Sequence, residues 1–225
     1  MKHIKGGIVG HENFKAMRKA MVVSQLRTTD VSDPKVIAAM SHVAREDFVP
    51  AALRNVAYSD RGVTVGEGRA LNAPLATGRL LNVAELTEDD NVLLIGAATG
   101  YTAAVLAQLV GSVTAVEQSA KLAAKAKANL SQYETVQVEK AEHSAGFGQN
   151  APYSAIIIDG IVDSVPATLV AQLAPAGRLV AAIMDKGVSR LAIGYKAGDT
   201  IGYQYFADCG GTTLPGFDQA KNFSF

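Results

Sequence analysis

A glycine-containing turn carries the clearest chemistry in this sequence of 225 residues. The turn reads GAATGY, and it begins at the last residue of the short apolar run VLLIG at 92–96. Gly96 permits a tight turn, and Gly100 permits the following helix to pack closely on the sheet. The unpaired N–H groups at the start of that helix would then point toward a ligand above the turn.

Acidic residues follow the next two apolar segments. Glu117 stands about 20 residues after the start of the turn, where a carboxylate can accept both hydroxyls of a ribose. Glu142 could accept a hydrogen bond from an adenine amino group, and His143 beside it is a further candidate for cofactor contact. Together these features predict an adenosine-containing cofactor. The alternatives are structural glycines with a surface glutamate and, for Glu142, a solvated loop acid.

The composition of the turn favours one cofactor over another. A dinucleotide fingerprint requires G-x-G-x-x-G so that the backbone can approach a pyrophosphate, but here Ala98 takes the middle position. A phosphate-binding lysine of the P-loop type is also missing. The turn therefore favours S-adenosylmethionine over NAD. The predicted cofactor-binding residues are Gly96, Ala97, Ala98, Gly100, Tyr101, Glu117, Gln118, Glu142 and His143.

Alternating strands and helices must position these residues from position 89 onward. Short apolar runs without alternation are typical of strands buried on both faces, and helix-prone segments separate them. We predict strands at 92–96, 112–117, 135–139, 154–159 and 177–184. Segments 188–195 and 200–208 alternate more and suit antiparallel strands at a sheet edge. The predicted fold class is α/β, with a doubly wound and mostly parallel sheet.

The first 88 residues follow a different pattern. Residues 13–26 have helical spacing, and Asp33 with Pro34 predicts the start of a second helix of about ten residues. Residues 57–74 are rich in glycine and indicate a loop or short hairpin covering the site. We expect 1–88 to pack on the domain formed by 89–225 as one structural unit, with the C-terminal LPGFDQAKNFSF also packed onto it.

Composition excludes several classes of function. The chain is 48% hydrophobic and 19% charged, and its 21 basic and 21 acidic residues give a formal net charge of zero. No basic stripe indicates nucleic-acid binding, no apolar run could span a membrane, and no hydrophobic segment follows the basic N-terminus. Cys209 has no partner for a disulfide or a metal site and is predicted to be a small buried residue. We therefore expect a cytoplasmic protein with no metal.

Five segments in order carry a resemblance to a known family. They are REDFVP at 45–50, AYSD at 57–60, VLLIGAATGY at 92–101, APYSAIII at 151–158 and QLAPAGRLV at 172–180. Over residues 21–188 the sequence resembles the protein-L-isoaspartate O-methyltransferase family. The resemblance implies a Rossmann-like class I methyltransferase fold, S-adenosylmethionine as cofactor and S-adenosylhomocysteine as product. The implied reaction is methylation of the carboxylate of isoaspartyl residues in damaged proteins.

Departures from the family pattern fall in the site itself. Asn72 stands where the family has the serine of T-I-S-Q-P. Its amide can still donate to a carboxylate, so Asn72 is the candidate catalytic residue; the alternative is that this bulkier side chain fills the isoaspartyl pocket. Ala73, Pro74 and Asp159 are candidate substrate-binding residues, with capping of the next helix as the alternative for Asp159. The turn keeps only the outer glycines of G-T-G-S-G, Leu94 replaces an acid, and AEH (141–143) replaces G-D-G.

These departures leave three hypotheses open. The first is isoaspartyl methyl transfer by a monomer or weak homodimer. The second is a divergent member that binds S-adenosylmethionine or S-adenosylhomocysteine but lacks isoaspartyl activity or uses another acceptor. The third is an NAD-dependent oxidoreductase.

Overall fold

Six α-helices and nine β-strands lie within residues 11–217, which the computed structural model describes apart from the side chains of His11 and Glu12. The helices are α1 His11–Met21, α2 Pro34–His42, α3 Pro74–Val83, α4 Tyr101–Leu106, α5 Ala120–Asn129 and α6 Ala167–Ala171. The strands are β1 Val63–Gly66, β2 Arg69–Leu71, β3 Asn91–Ile95, β4 Ser112–Glu117, β5 Val136–Lys140, β6 Tyr153–Val162, β7 Leu173–Asp185, β8 Val188–Ala197 and β9 Thr200–Asp208. Among the described residues, no helix is both long enough and apolar enough to cross a membrane.

Seven of the strands form one sheet in the order β5-β4-β3-β6-β7-β8-β9. Strands β3 to β7 are parallel, and β8 and β9 add antiparallel strands at one edge. The predicted doubly wound, mostly parallel sheet is confirmed. Because the chain crosses from β5 over β4 and β3 to reach β6, the topological switch lies between β3 and β6, where ligands of such sheets bind.

The N-terminal region is built as the sequence indicates, with two differences. Asp33 caps α2 through its Oδ1, which accepts the Lys35 N–H at 2.7 Å, and 57–74 contains the β1–β2 hairpin. The helix expected over 13–26 changes to π-helical geometry at Val22–Leu26. The sequence does not predict helix α3, because Thr77 and Gly78 interrupt the helical pattern of its residues. Gly78 permits close packing: a Cβ there would lie 3.1 Å from Leu26 and Val31 side-chain atoms, which would have to shift.

The fully buried side chain of Arg45 joins the N-terminal region to the sheet. Its Nε donates to Ala57 O at 2.7 Å, and its Nη2 donates to Asn72 O at 2.5 Å. The guanidinium also lies 4.5 Å from the centre of the Tyr101 ring. Arg45 therefore ties the hairpin to the start of α4 and fixes the backbone of Asn72.

After β9 the chain returns across the carboxyl ends of the parallel strands. We call residues 212–217 the strap. Thr212 O accepts the Ile161 N–H at 3.0 Å, and Leu214 N–H donates to Ile161 O at 2.8 Å. Leu214 and Phe217 are buried, so the packing predicted for this segment is confirmed for those two residues. Residues 218–225 lie outside the described part of the chain.

Candidate functional site

The glycine turn lies at the carboxyl end of β3, as predicted, and both of its glycines have a structural reason. Gly96 has φ +84° and Gly100 has φ +100°, and a residue with a side chain would be strained at such positive φ angles. A Cβ on Gly100 would lie 2.7 Å from Leu130 Cδ1, so glycine permits α4 and α5 to approach. The N–H groups of Gly96 and Ala97 both donate to Val116 O, at 2.9 and 3.0 Å, which closes the turn against β4.

Glu117 is at the end of β4, and protein groups already occupy both of its carboxylate oxygens. Its Oε2 accepts the Ala98 N–H at 2.8 Å, and its Oε1 accepts the Ser119 N–H at 3.0 Å. Arg69 Nη2 lies 4.0 Å from Oε2, and only 1% of the Glu117 side chain is exposed. Burial acts to raise the pKa of Glu117, but the Arg69 cation and the hydrogen bond from the Ser119 N–H hold it below its usual value. Glu117 is therefore an ionised, covered carboxylate.

The residues after β5 divide into one buried and one exposed side chain. His143 is fully buried; its Nε2 accepts the Gln118 N–H at 3.1 Å, which leaves the ring proton on Nδ1, 3.1 Å from Pro215 O. Glu142 is exposed beside it. His143 thus links the end of β4 to the strap, whereas Glu142 faces solvent.

The strap covers the start of the turn at Gly96. Leu214 Cδ1 lies 2.8 Å from the position that a Cβ on Gly96 would take, and Arg69 Nη2 lies 3.0 Å from the same position. Outside the strap an open groove of about 490 Å³ remains, with Pro215 on its wall. Its lining also includes Glu67, Arg69, Glu117, Gln118, Ser119, Ala120 and Lys121.

Polar atoms under the strap are left without protein partners. Among the described residues, Arg69 Nε, Arg69 Nη1 and Gln118 Oε1 are buried and accept or donate no hydrogen bond. Buried polar atoms are rarely left unpaired, so these three favour a polar ligand in this cleft. With the side-chain-free Gly96 and the carboxylate of Glu117, they fit an adenosine-containing cofactor in residue type.

Asn72 and Asp159 meet at the carboxyl end of β6. Asn72 Nδ2 donates to Asp159 Oδ1 at 2.6 Å, and Thr102 Oγ1 donates to Asp159 Oδ2 at 2.5 Å. Asp159 is only 8% exposed. Sequence reasoning places Asn72 and Asp159 near the acceptor separately, but it misses their bond and the roles of Thr102, Arg45 and Arg69. No local pattern identifies those contacts, because the partners are far apart in the chain.

An open cleft of about 460 Å³ lies against Asn72. Asn72 and Ala73 line it, while Pro74 is buried as the first residue of α3. Two arginines and two aspartates give the wall mixed charge. The lining residues are Asp60, Arg61, Gly62, Asn72, Ala73, Leu75, Ala76, Arg79, Asp208, Cys209, Gly210, Gly211 and Thr212.

Cys209 is half-buried at the wall of this cleft, rather than in the core as predicted, because it follows the edge strand β9. Burial raises the pKa of its thiol. Within residues 11–217 no cluster of three histidine, cysteine or acidic side chains could hold a metal ion.

Comparison with known proteins identifies the family. The family described as protein-L-isoaspartate(D-aspartate) O-methyltransferase matches residues 17–208. Protein-L-isoaspartate O-methyltransferase 1 of Rhodopseudomonas palustris (strain HaA2) is 39% identical over 182 residues, covering 80% of this chain and 74% of the relative. The corresponding enzyme of Roseiflexus castenholzii is 35% identical over 198 residues, covering 87% of this chain and 90% of the relative.

Solved structures agree on the fold. A structure titled protein-L-isoaspartate O-methyltransferase has a TM-score of 0.77 and 26% identity, covering 88% of this chain and 66% of its own length. A Plasmodium falciparum structure titled as a putative member, in complex with S-adenosyl-L-homocysteine, has a TM-score of 0.73 and 18% identity, covering 89% and 97%. The chain belongs to the protein-L-isoaspartate O-methyltransferase family, so the predicted family and fold are confirmed. No observation favours the NAD-dependent alternative.

Proposed function

We propose that this protein transfers the methyl group of S-adenosylmethionine to the carboxylate of isoaspartyl residues in damaged proteins. The observation that carries the proposal is the open cleft beside Asn72. Asn72 on its wall donates to Asp159 of β6, so the cleft reaches the carboxyl end of the sheet through that side chain. The carboxylate of an acceptor could pair with Arg61 or Arg79 there, on a wall where Asp60 and Asp208 balance their charge. Family membership supports the same reaction.

The acceptor needs little chemical activation. A carboxyl group with a pKa of about 4 is ionised at neutral pH, so no general base is required. When bound, S-adenosylmethionine supplies the methyl group already activated on a sulfonium sulfur and leaves as S-adenosylhomocysteine. The task of the protein is to hold the acceptor in line and to exclude water.

Asn72 and Thr102 would offset the negative charge of Asp159 at the inner end of the cleft. Both donate to Asp159, whose carboxylate would otherwise repel an acidic acceptor at the inner end of the cleft. Arg45 holds the backbone of Asn72 in place through its carbonyl oxygen. In this proposal Asn72 contacts the acceptor, and Asp159 is the boundary between acceptor and cofactor.

Methyl transfer from labelled S-adenosylmethionine to an isoaspartyl peptide tests the function, with the aspartyl isomer as the control peptide. We expect transfer to the isoaspartyl form alone. Replacing Asn72→Ala should lower kcat/KM by about tenfold, the value of one hydrogen bond of about 1.4 kcal/mol. The matched control Asn82→Ala changes an amide that bonds the backbone N–H groups of Ser32 and Asp33 instead, and should leave kcat/KM unchanged.

The divergent-member hypothesis is the second candidate, and the Asn72–Asp159 bond is the observation that favours it, because that bond engages the amide that would meet the acceptor. Asn72→Ser separates the two hypotheses. Isoaspartyl activity in the unaltered chain supports the repair reaction. Activity that appears only in Asn72→Ser, with cofactor binding equal in both proteins, would assign the unaltered chain another acceptor or a binding role.

We also propose a monomer or weak homodimer acting in the cytoplasm on protein substrates, without nucleic-acid or membrane partners. The zero formal charge and the lone Cys209, a thiol that stays reduced in the cytoplasm, support this setting. Light scattering after size-exclusion chromatography measures the oligomeric state.

A further inference from the structure

The strap is held in the cofactor cleft by specific contacts rather than lying loosely over it. Two backbone hydrogen bonds join it to Ile161, and Pro215 O accepts from His143 Nδ1. Leu214 is fully buried, and it packs in an apolar cluster with Leu93, Ile95, Val116, Ile158 and Phe217 among others. The strap therefore occupies one defined position at the ends of β3, β4 and β6.

That position conflicts with a cofactor at the same end of the sheet. Leu214 rests on Gly96, where the absence of a side chain would otherwise let a ligand approach the backbone. Glu117 lines the groove that stays open beside Pro215, so the overlap concerns the space above Gly96. The strap and a cofactor seated on the turn thus require the same space above Gly96.

The strap is also a poor chemical match for the cleft it fills. The apolar Leu214 and Arg69 Nη2 both lie within 3.0 Å of the position that a Cβ on Gly96 would take, and Arg69 Nε and Nη1 have no partner. A Cβ on Gly216 would lie 3.3 Å from the unpaired Gln118 Oε1. A polar ligand could satisfy all three atoms, whereas the strap satisfies none of them. Exposed glycines at 210 and 211 precede the strap and give the backbone freedom to move it.

We propose that residues 212–217 are an intramolecular occupant of the cofactor cleft, which must leave before S-adenosylmethionine binds. The inference rests on the proposed function, since it takes that cofactor as the competitor. The closed strap lowers the apparent affinity for the cofactor by the fraction of molecules that are open. The protein is consequently held in an inactive state that its own C-terminal segment stabilises.

Calorimetric titration with S-adenosylhomocysteine tests the competition. Leu214→Ala removes the side chain that holds the strap in place. We therefore expect this variant to bind S-adenosylhomocysteine about tenfold more tightly than the unaltered protein does, if about nine molecules in ten of the unaltered protein are closed. Leu109→Ala is the matched control, since Leu109 is also buried but lies in the other apolar cluster. It should leave the affinity unchanged.

Hydrogen exchange in the unaltered protein gives an independent readout. The Leu214 amide is protected by Ile161 O, so S-adenosylhomocysteine should accelerate its exchange by releasing the strap. This measurement decides the question even if Leu214→Ala does not fold.

The outcomes separate the inference from the proposed function. Equal or weaker binding by Leu214→Ala, with exchange at Leu214 unchanged or slowed by the ligand, would overturn the inference and leave methyl transfer standing. Failure of both the unaltered protein and Leu214→Ala to bind S-adenosylhomocysteine would overturn the cofactor assignment, and the inference with it.

Discussion

Two buried aspartates differ in the partners that compensate their charge. Asp159 accepts hydrogen bonds from the neutral groups of Asn72 and Thr102. Asp90 instead accepts from a cation, with Arg178 Nη2 at 2.7 Å from its Oδ2. A buried carboxylate that is hydrogen-bonded to a cation is suited to holding elements together. Asp159 has neutral hydrogen-bond partners, and the buried cations of Arg45 and Arg69 interact with it electrostatically. Asp90 therefore has a structural role, whereas Asp159 belongs to the site.

We predict that Asp90→Asn lowers the free energy of unfolding by about 2 kcal/mol at pH 7, because it leaves Arg178 without its charged partner. Burial acts to raise the pKa of Asp90, but hydrogen bonds from Arg178, Ser154 and Thr87 hold it below its usual value. A carboxyl with a depressed pKa in the folded state stabilises the fold above the unfolded pKa of about 4, and the stabilisation is lost as the pH falls through the folded value. The difference between the two proteins should therefore shrink below pH 4.

Urea denaturation at several pH values measures both effects. Asp208→Asn is the control, because Asp208 forms an exposed pair with Arg190 and should change stability by less than about 0.5 kcal/mol. Equal losses for the two variants at pH 7 would contradict the role given to Asp90.

The turn between β3 and α4 is the element on which the site depends. It brings the backbone of Ala98 to Glu117, and it lets α4 start beside Asp159 through Thr102. Gly100 makes both possible, because it combines a positive φ with contact against Leu130. The element is specified by backbone conformation and close packing rather than by a polar motif.

Gly100→Ala should lower the free energy of unfolding by about 3 kcal/mol, from strain at φ +100° and overlap with Leu130. Gly148→Ala is the matched control: a Cβ there meets nothing within 4 Å, so its effect should stay within about 0.5 kcal/mol. Thermal and urea denaturation of both variants provide the measurement. A loss for Gly100→Ala no greater than that for Gly148→Ala would exclude this role for the turn.

At the scale of the whole molecule, the N-terminal region and the sheet domain share buried contacts. Arg45 stacks on Tyr101, and Thr99 Oγ1 donates to Phe48 O at 2.6 Å. On the opposite side Arg178 of β7 donates to the Glu85 carbonyl oxygen at 3.1 Å. We therefore propose that 1–88 and 89–225 form one cooperative unit.

Calorimetry should accordingly give a single unfolding transition whose calorimetric and van't Hoff enthalpies agree. Arg45→Ala should lower stability by about 3 kcal/mol or more, since it leaves two buried carbonyl oxygens unpaired and opens a cavity. Arg54→Ala is the control, because Arg54 is half-exposed and lies 3.7 Å from an exposed Asp47. Two separate transitions in the unaltered protein would contradict a single unit.

The sequence by itself determined the sheet, the family and the position of the turn. Strand β4 has the predicted bounds, 112–117, and the start of α2 at the Asp33 cap follows from local hydrogen bonding. These features depend on residues a few positions apart, so a short stretch of sequence is sufficient to predict them. The family identification depends in addition on the order of five segments along the chain, which no single local pattern contains.

Only the tertiary structure decided how the site is closed. Asn72 meets Asp159 across 87 positions, and the strap returns from residue 214 to cover Gly96. Helix α3 is not predicted from the sequence, because glycine at position 78 has a low helix propensity. In the folded protein, packing of Gly78 against Leu26 outweighs that low propensity. Such contacts depend on which surfaces the sheet brings together, and a pattern along the sequence does not show which surfaces will meet. The glycine that begins the predicted cofactor turn thus lies, in the folded protein, beneath Leu214 of the strap.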